Sequence, residues 1–197
     1  MPTTQLLLAS SSPRRRRILE RMGLEFTAAG VGVDERQRPA EPAAVMVVRL
    51  AVDKACAVAA EPGTAVLGAD TAVVLDGEVF GKPADEADAL RMLARLSGRQ
   101  HQVMTGVAVR WAGTTRSALS VTDVTFREIN PDEARDYWQS GEPAGKAGAY
   151  AIQGRGGAFV EAIAGSYTGV VGLPVRETAD LLQWAGIEVP ADLKDAL

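Results

Sequence analysis

Ala65-Val66-Leu67-Gly68-Ala69-Asp70-Thr71-Ala72-Val73-Val74-Leu75-Asp76-Gly77 is the stretch on which the fold turns. An apolar, β-branched run bounded by turn residues reads as a buried strand. Here Ala65 to Ala69 is an apolar strand that ends in Asp70 and Thr71, and Val73 to Leu75 continue it. Asp76-Gly77 is a hairpin signal, and Gly81-Lys82-Pro83 ends that hairpin. Upstream, Gln5 to Ala9 reads as a second short buried strand. Ser12 then stands where an N-cap belongs and Pro13 at the first helical position. Ile18, Leu19 and Met22 form the apolar face of that helix, and Gly23 supplies its stop. Pro42 opens a helix running to Ala60, with Arg49 and Asp53 at i, i+4 spacing.

Downstream, Asp85 caps a helix whose Leu90, Leu93 and Leu96 share a face, with Gly98 near its end. Gln102 to Trp111 and Ser117 to Ile129 read as an antiparallel pair joined through Ala112-Gly113-Thr114-Thr115. Asn130-Pro131-Asp132-Glu133 is a helix start with cap, proline and acid in place. A glycine-rich stretch runs from Gly141 to Gly172, and Pro174 to Trp184 is the last helix, closed by Gly186. Gly186 to Leu197 reads as a peripheral tail. Hairpins, buried strands and helices in this order predict an α/β fold with a mixed central sheet and flanking helices. A chain of 197 residues without repeats or low-complexity linkers is expected to form a single domain over 1–197.

Composition narrows the function. The formal charge of −4 argues against nucleic acid as a partner, because such proteins carry a basic excess. The single cysteine, Cys56, rules out an internal disulfide and any multi-cysteine zinc site. Its setting in Lys-Ala-Cys-Ala-Val is that of a buried apolar side chain in a helix interior. With His101 the only histidine, carboxylates and lysines are the expected proton carriers. The longest apolar candidate, Ala43 to Ala60, contains Arg49, Asp53 and Lys54, so no membrane partner is expected. Met1 to Ser10 is too short for a secretory leader and runs into four arginines, which leaves the cytoplasm as the expected location.

Four clusters carry candidate chemistry. Ser10-Ser11-Ser12-Pro13-Arg14-Arg15 combines hydroxyls and guanidinium forks at a helix start, where free N–H groups favour an anion. For any one of its arginines a capped helix with a solvated basic face is the better account, since only one or two can face the same side; for the cluster as a whole phosphate binding is favoured. Gly68-Ala69-Asp70-Thr71 places a carboxylate at a sheet edge, where it can hold Mg²⁺ or orient or deprotonate a water. Those four residues alone fit a turn aspartate just as well. Lys54 on a helix and Lys82 in a rigid Gly-Lys-Pro turn offer point charges for phosphate. In Lys146 to Gly157 the glycines allow close backbone approach, and Gln153 can read a base edge; a surface loop is the plain alternative. Gly141 to Lys146 lacks P-loop spacing, with Ala147 at the Ser/Thr position. Gly154-Arg155-Gly156 lacks the third glycine of a dinucleotide fingerprint.

Taken together, these pieces resemble the Maf family of nucleotide pyrophosphatases along nearly the whole chain. The resemblance is carried by Leu8 to Arg15, Val33-Asp34-Glu35, Leu50 to Ala55, Gly68 to Thr71 and Gly81-Lys82-Pro83. It continues through Leu96 to Arg99, Thr122 to Phe126, Lys146 to Val160, Gly165-Ser166-Tyr167 and Val171 to Pro174. It implies two lobes around a cleft, as in the Maf and inosine-triphosphatase folds, and a homodimer. It further implies hydrolysis of a nucleoside triphosphate to monophosphate and pyrophosphate with a divalent metal, Mg or Mn. By the same resemblance Asp70 is the catalytic acid, as base, metal ligand or both, and Glu35 a second acid near the metal. Ser10, Arg14, Arg15, Lys54 and Lys82 match polar cleft positions, and Arg14, Thr71 and Gln153 match positions linked to substrate choice. Ala-Gly-Ala-Tyr-x-Ile-Gln-Gly looks like the branch acting on dTTP and UTP. The branch resembling 7-methyl-GTP pyrophosphatases differs in that loop, and a non-catalytic role in septum formation would not need Ser10, Arg14, Asp70 and Lys82 together. Gly145 departs from the family pattern, which has an acid before Lys-Ala-Gly; the departure bears on contacts around Lys146.

Overall fold

The computed structural model describes residues 4–190. In chain order the elements are β1 (Gln5–Ala9), α1 (Pro13–Arg21), β2 (Thr27–Ala29), α2 (Ala43–Cys56), β3 (Thr64–Leu75), β4 (Glu78–Phe80) and α3 (Glu86–Leu96). They continue as β5 (Gln100–Trp111), β6 (Thr114–Phe126), α4 (Pro131–Gln139), β7 (Val160–Ala164), α5 (Tyr167–Val171) and α6 (Val175–Trp184). The strands form one seven-stranded sheet in the order β2-β1-β3-β5-β6-β7, with β4 on β3. β1 runs parallel to β2 and β3, while the β3–β5, β5–β6 and β6–β7 pairs are antiparallel. The sheet is therefore mixed, as the alternation of hairpins and buried strands requires.

The signals at the element ends act as expected in most places. The Ser12 hydroxyl accepts the Arg15 amide, Asp85 accepts that of Asp88, and Asn130 that of Asp132. Gly23 and Gly77 take positive φ. Several boundaries differ. Pro42 and Pro174 are N-caps, so their helices begin one residue later. α2 stops at Cys56, four residues short of Ala60, because Arg110 of β5 takes the Ala55 and Val58 carbonyls at 3.0 and 2.7 Å. Cys56 thus lies on the last turn and is exposed, with Thr115 Oγ1 at 3.9 Å, and is not the buried residue its neighbours suggested. The β5–β6 turn is only Ala112-Gly113, and β6 ends at Phe126. The glycine-rich stretch contains β7 and α5. Ile187 and Val189 pack against the core, so the start of the expected tail is not peripheral; residues 191–197 lie outside the described part.

Two apolar clusters lie on one face of the sheet, that of Leu67 and Val73, while Met46, Val47 and Leu50 of α2 pack on Ala72 and Val74 on the other. Of the two clusters, one gathers Leu8, Leu19, Leu67, Val107 and Leu182 beneath α1 and α6, and the second Phe80, Leu93, Phe126, Tyr137 and Phe159 beneath α3 and α4. α2 crosses β3 and β5 in direct backbone contact. A Cβ at Gly68 would lie 2.2 Å from the Ala51 carbonyl oxygen, and one at Gly106 2.3 Å from that of Val47. Only glycine admits the helix this close. That seating brings the last turn of α2 over the middle of β3.

His101 is 2% exposed, with Nε2 2.9 Å from the Tyr150 hydroxyl and its ring edge-on to Phe126. It packs on the same face of the sheet as Val103 and Thr105 but does not line the cleft described below. Burial pulls its pKa from 6.5 to about 4. The unfolded chain therefore binds the proton more readily between those values, and stability falls as pH drops through that window. The shift corresponds to about 3 kcal/mol, fully present above pH 6.5. Urea denaturation at pH 7 and pH 4.5 should show a steeper acid loss for the wild type than for His101→Gln; equal losses would contradict this.

Candidate functional site

β3 loses β1 after the Leu8–Leu67 pairing and gains β4 only at Val73–Phe80. Between them one side of β3 faces no strand, and Asp70 and Thr71 stand in that gap. Asp70 is therefore not at a strand end. β3 passes straight through it because β5 pairs continuously with Val66 to Val74. A cleft of about 800 Å³ opens there, within the ~300–1,000 Å³ usual for small-molecule sites. Ser10, Arg14, Arg15, Glu35, Lys54, Asp70, Thr71, Lys82, Lys146 and Gln153 all line it. Every site residue expected from the sequence is thus brought to one cavity. Cations outnumber carboxylates on its walls, although the chain as a whole is acidic.

Alternation along β3 sends Asp70 and Thr71 to opposite faces. On the α2 face the Lys54 ammonium, 8% exposed, bridges two carboxylates: Glu35 Oε1 at 2.6 Å and Asp70 Oδ1 at 2.7 Å. Glu35 Oε2 also accepts from Lys82 at 3.4 Å. Burial alone would push the Glu35 carboxyl up, but the Lys54 hydrogen bond and the charges of Lys54 and Lys82 hold it below the usual range. Asp34, the residue before it, instead forks an exposed Arg36.

On the other face Arg15 Nε donates to the Gly172 carbonyl at 2.8 Å, and its terminal nitrogens donate to Ser10 Oγ at 3.1 Å and Thr71 Oγ1 at 3.4 Å. Its pKa is lowered by burial, with Asp70 opposing. Arg15 thus spends its donors on the wall of the cleft. Arg14 anchors only Nε, on Val171 O at 3.2 Å, and Arg16 and Arg17 point to solvent. Two of the four arginines share the cleft side, as helical geometry requires.

Thr105, fully buried on β5, was not legible as a site residue. Its hydroxyl donates to Gly169 O at 2.8 Å and lies 2.9 Å from Thr71 Oγ1. A hydroxyl has one proton. With that of Thr105 committed to Gly169, Thr71 must donate to Thr105, and toward the cleft Thr71 offers only a lone pair.

Lys146 and Gln153 close the far wall. Burial and nearby Arg14 lower the Lys146 pKa, and its Nζ donates to Ala144 O at 3.0 Å. Gly145 takes φ +69°, a conformation glycine adopts without strain, and the acid nearest in charge to Lys146 is Glu142. Glu142 and Tyr137 carry no site signal in the sequence; apart from the bond between them, their partners lie 13 or 14 residues away, around Gln153.

A family model for Maf-like proteins matches residues 5–185. Relatives named dTTP/UTP pyrophosphatase are similar over almost the whole chain. That of Bordetella parapertussis is 54% identical over 196 residues, covering 94% of this chain and 95% of its own. The Chromobacterium violaceum protein is 50% identical, covering 95% and 98%, and that of Vibrio cholerae 52%, covering 92% and 98%. With the fold, the cleft and this span of similarity in hand, the chain belongs to the Maf family.

Proposed function

We propose that the protein is a dTTP/UTP pyrophosphatase, a single-domain hydrolase that cleaves nucleoside triphosphates between the α and β phosphates. The observation that carries this reading is the Asp70–Lys54–Glu35 cluster set among Arg14, Lys82 and Lys146 in one cleft. In its support, relatives bearing that name share half or more of their residues with this chain. A cytoplasmic location and a homodimer accompany the reading; no helix among the described residues is long and apolar enough to cross a membrane.

The residues fit a divalent cation of the phosphate-bound kind. Glu35 and Asp70 already converge on one positive charge, that of Lys54. Mg²⁺ is commonly held by one or two carboxylates together with substrate phosphates. Among the described residues no group of three or more His, Cys, Asp or Glu gathers to hold an ion alone. Glu35 and Asp70 would hold Mg²⁺ or Mn²⁺, which supplies neutralisation of phosphate charge when bound.

The chain's own groups then divide the work. Asp70 orients or deprotonates the water that attacks the α-phosphorus, with pyrophosphate leaving. Arg14, Lys82 and Lys146 stabilise charge on the transferring and leaving groups, the usual main term in this chemistry. Ser10 and Arg15 hold the phosphate wall in shape. Thr71, able only to accept, and Gln153, able to donate and accept, suit the N–H and carbonyl edge shared by thymine and uracil. Cytosine presents an acceptor where those bases have N–H. A panel of dTTP, UTP, CTP, GTP and 7-methyl-GTP, followed by pyrophosphate release with and without Mg²⁺, tests the reading. Preference of about tenfold or more for dTTP and UTP is expected, since a mismatched base would leave Thr71 and Gln153 unpaired once the nucleotide covers them; preference for 7-methyl-GTP would overturn it.

A further inference from the structure

Gln153 sits on a strap, Ala151 to Gly156, that belongs to no strand and lines the cleft through Ala151, Ile152 and Gln153. What holds it lies behind it. Tyr137 of α4 is 3% exposed, and its ring meets Phe159 edge-on at 5.0 Å. Its hydroxyl accepts the Ala151 amide at 3.0 Å and donates to Glu142 Oε1 at 2.7 Å. The same Oε1 accepts the Gly156 amide at 3.0 Å, and Oε2 accepts that of Arg155 at 3.0 Å. One phenol and one carboxylate therefore grip the strap on both sides of Gln153.

The fit behind the strap is close. A Cβ at Gly154 would lie 2.2 Å from Glu142 Oε2, and one at Gly156 2.5 Å from the Tyr137 oxygen. Burial pushes the Glu142 carboxyl up, but the Tyr137 hydroxyl and the two amides outweigh it and hold it below its ordinary range. Glu142 thus remains an anion at neutral pH and takes three donors, an arrangement stronger than neutral hydrogen bonds. Neither Tyr137 nor Glu142 lines the cleft, so neither touches a bound nucleotide directly.

We propose that Tyr137 and Glu142 are positioning residues that preset Gln153 for the nucleobase, and so contribute to substrate selection without meeting the substrate. The proposal rests on the pyrophosphatase reading above. The gripped strap keeps the Gln153 amide at one depth in the cleft before substrate arrives, and that ordering is not repeated at each binding event.

The test uses the full chain as wild type, Tyr137→Phe, Glu142→Gln, Gln153→Ala and the Tyr137→Phe/Gln153→Ala double variant, with dTTP, UTP and CTP. Tyr137→Phe is expected to raise KM for dTTP about tenfold while kcat stays within about threefold, the signature of lost binding and not of lost chemistry. Preference for dTTP over CTP should shrink in parallel. In the Gln153→Ala background the same change should add less than about twofold, because the two residues act through one group. Glu142→Gln, which keeps one acceptor oxygen but turns an NH2 toward a backbone amide, should give a shift of similar size and carries the test if Tyr137→Phe does not fold. Amide hydrogen exchange of the free protein gives a readout independent of turnover. Ala151, Arg155 and Gly156 should exchange faster in the variants, with α2 and β3 unchanged. Unaltered KM in the folded variants, effects that multiply fully in the double variant, or unaltered exchange of those amides would each overturn the proposal. A wild type that does not turn over dTTP would instead overturn the pyrophosphatase reading, with the exchange result still deciding the clamp.

Discussion

Asp70→Asn is expected to lower kcat for dTTP by about 10³-fold, within the 10²–10⁴ range of a lost acid–base group. The amide is isosteric with the carboxylate, and its oxygen can still accept from Lys54 Nζ, now 2.7 Å from Oδ1. Thermal unfolding should therefore shift by only a few degrees, about 1 kcal/mol or less for a chain of this size. What is lost is the negative charge and the basicity. Asp70 is 13% exposed at the side chain and stands where β3 has β5 on one side and no strand on the other. A water reaching that oxygen from the cleft is flanked by cations suited to hold phosphates. Steady-state turnover with a parallel thermal melt makes the measurement. A kcat within about threefold of wild type in a folded variant would remove Asp70 from the chemistry.

The second large effect is expected from Lys54→Met. Methionine preserves the length and apolar stem of the side chain but deletes the ammonium shared by Glu35 and Asp70. Breaking a largely buried ion pair from one side leaves the other charge uncompensated, which costs about 3–5 kcal/mol when burial is complete. Glu35 is 47% exposed, so solvent relieves part of this, and a stability loss of about 1–3 kcal/mol is the expectation. Activity should fall further than stability, by about 10²-fold or more, because the two carboxylates repel and lose their fixed spacing. The loss should appear mainly in kcat. Lys82→Met is the useful contrast: that ammonium is 64% exposed and 3.4 Å from Glu35, so its removal should leave stability nearly unchanged. Equal destabilisation by the two substitutions would contradict the assigned roles.

How far the sequence carries the site depends on the distance over which each residue is placed. Ser12, Asp85 and Asn130 act through amides two or three residues away, and their cap patterns read directly. Lys82 was legible because Gly81 and Pro83 frame it within the hairpin that follows Asp70. Lys54 was not fixed by local pattern; it reaches Asp70 because Gly68 and Gly106 let α2 settle on the strands, and that contact joins residues far apart in sequence. The same kind of contact explains Cys56. Nothing within α2 announces that Arg110 of β5 will claim the carbonyls at its end and leave the thiol outside. Asp70 looked like a strand end because a charge interrupts an apolar run. The pairing of β5 along both halves of that run carries the strand through it. Thr105 bears no local mark, since its partner comes from α5; Tyr137 and Glu142 bear little, since apart from their mutual bond their partners lie in the strap around Gln153.

In the proposed reaction the protein cleaves dTTP between the α and β phosphates in the cleft around Asp70. Phosphorus NMR of the products formed from dTTP by the wild-type protein with Mg²⁺ tests it most directly. Thymidine monophosphate and pyrophosphate in equal amounts are the predicted products, with neither accumulating above background in Asp70→Asn. Thymidine diphosphate with inorganic phosphate would place the cut at the β–γ bond and contradict the account.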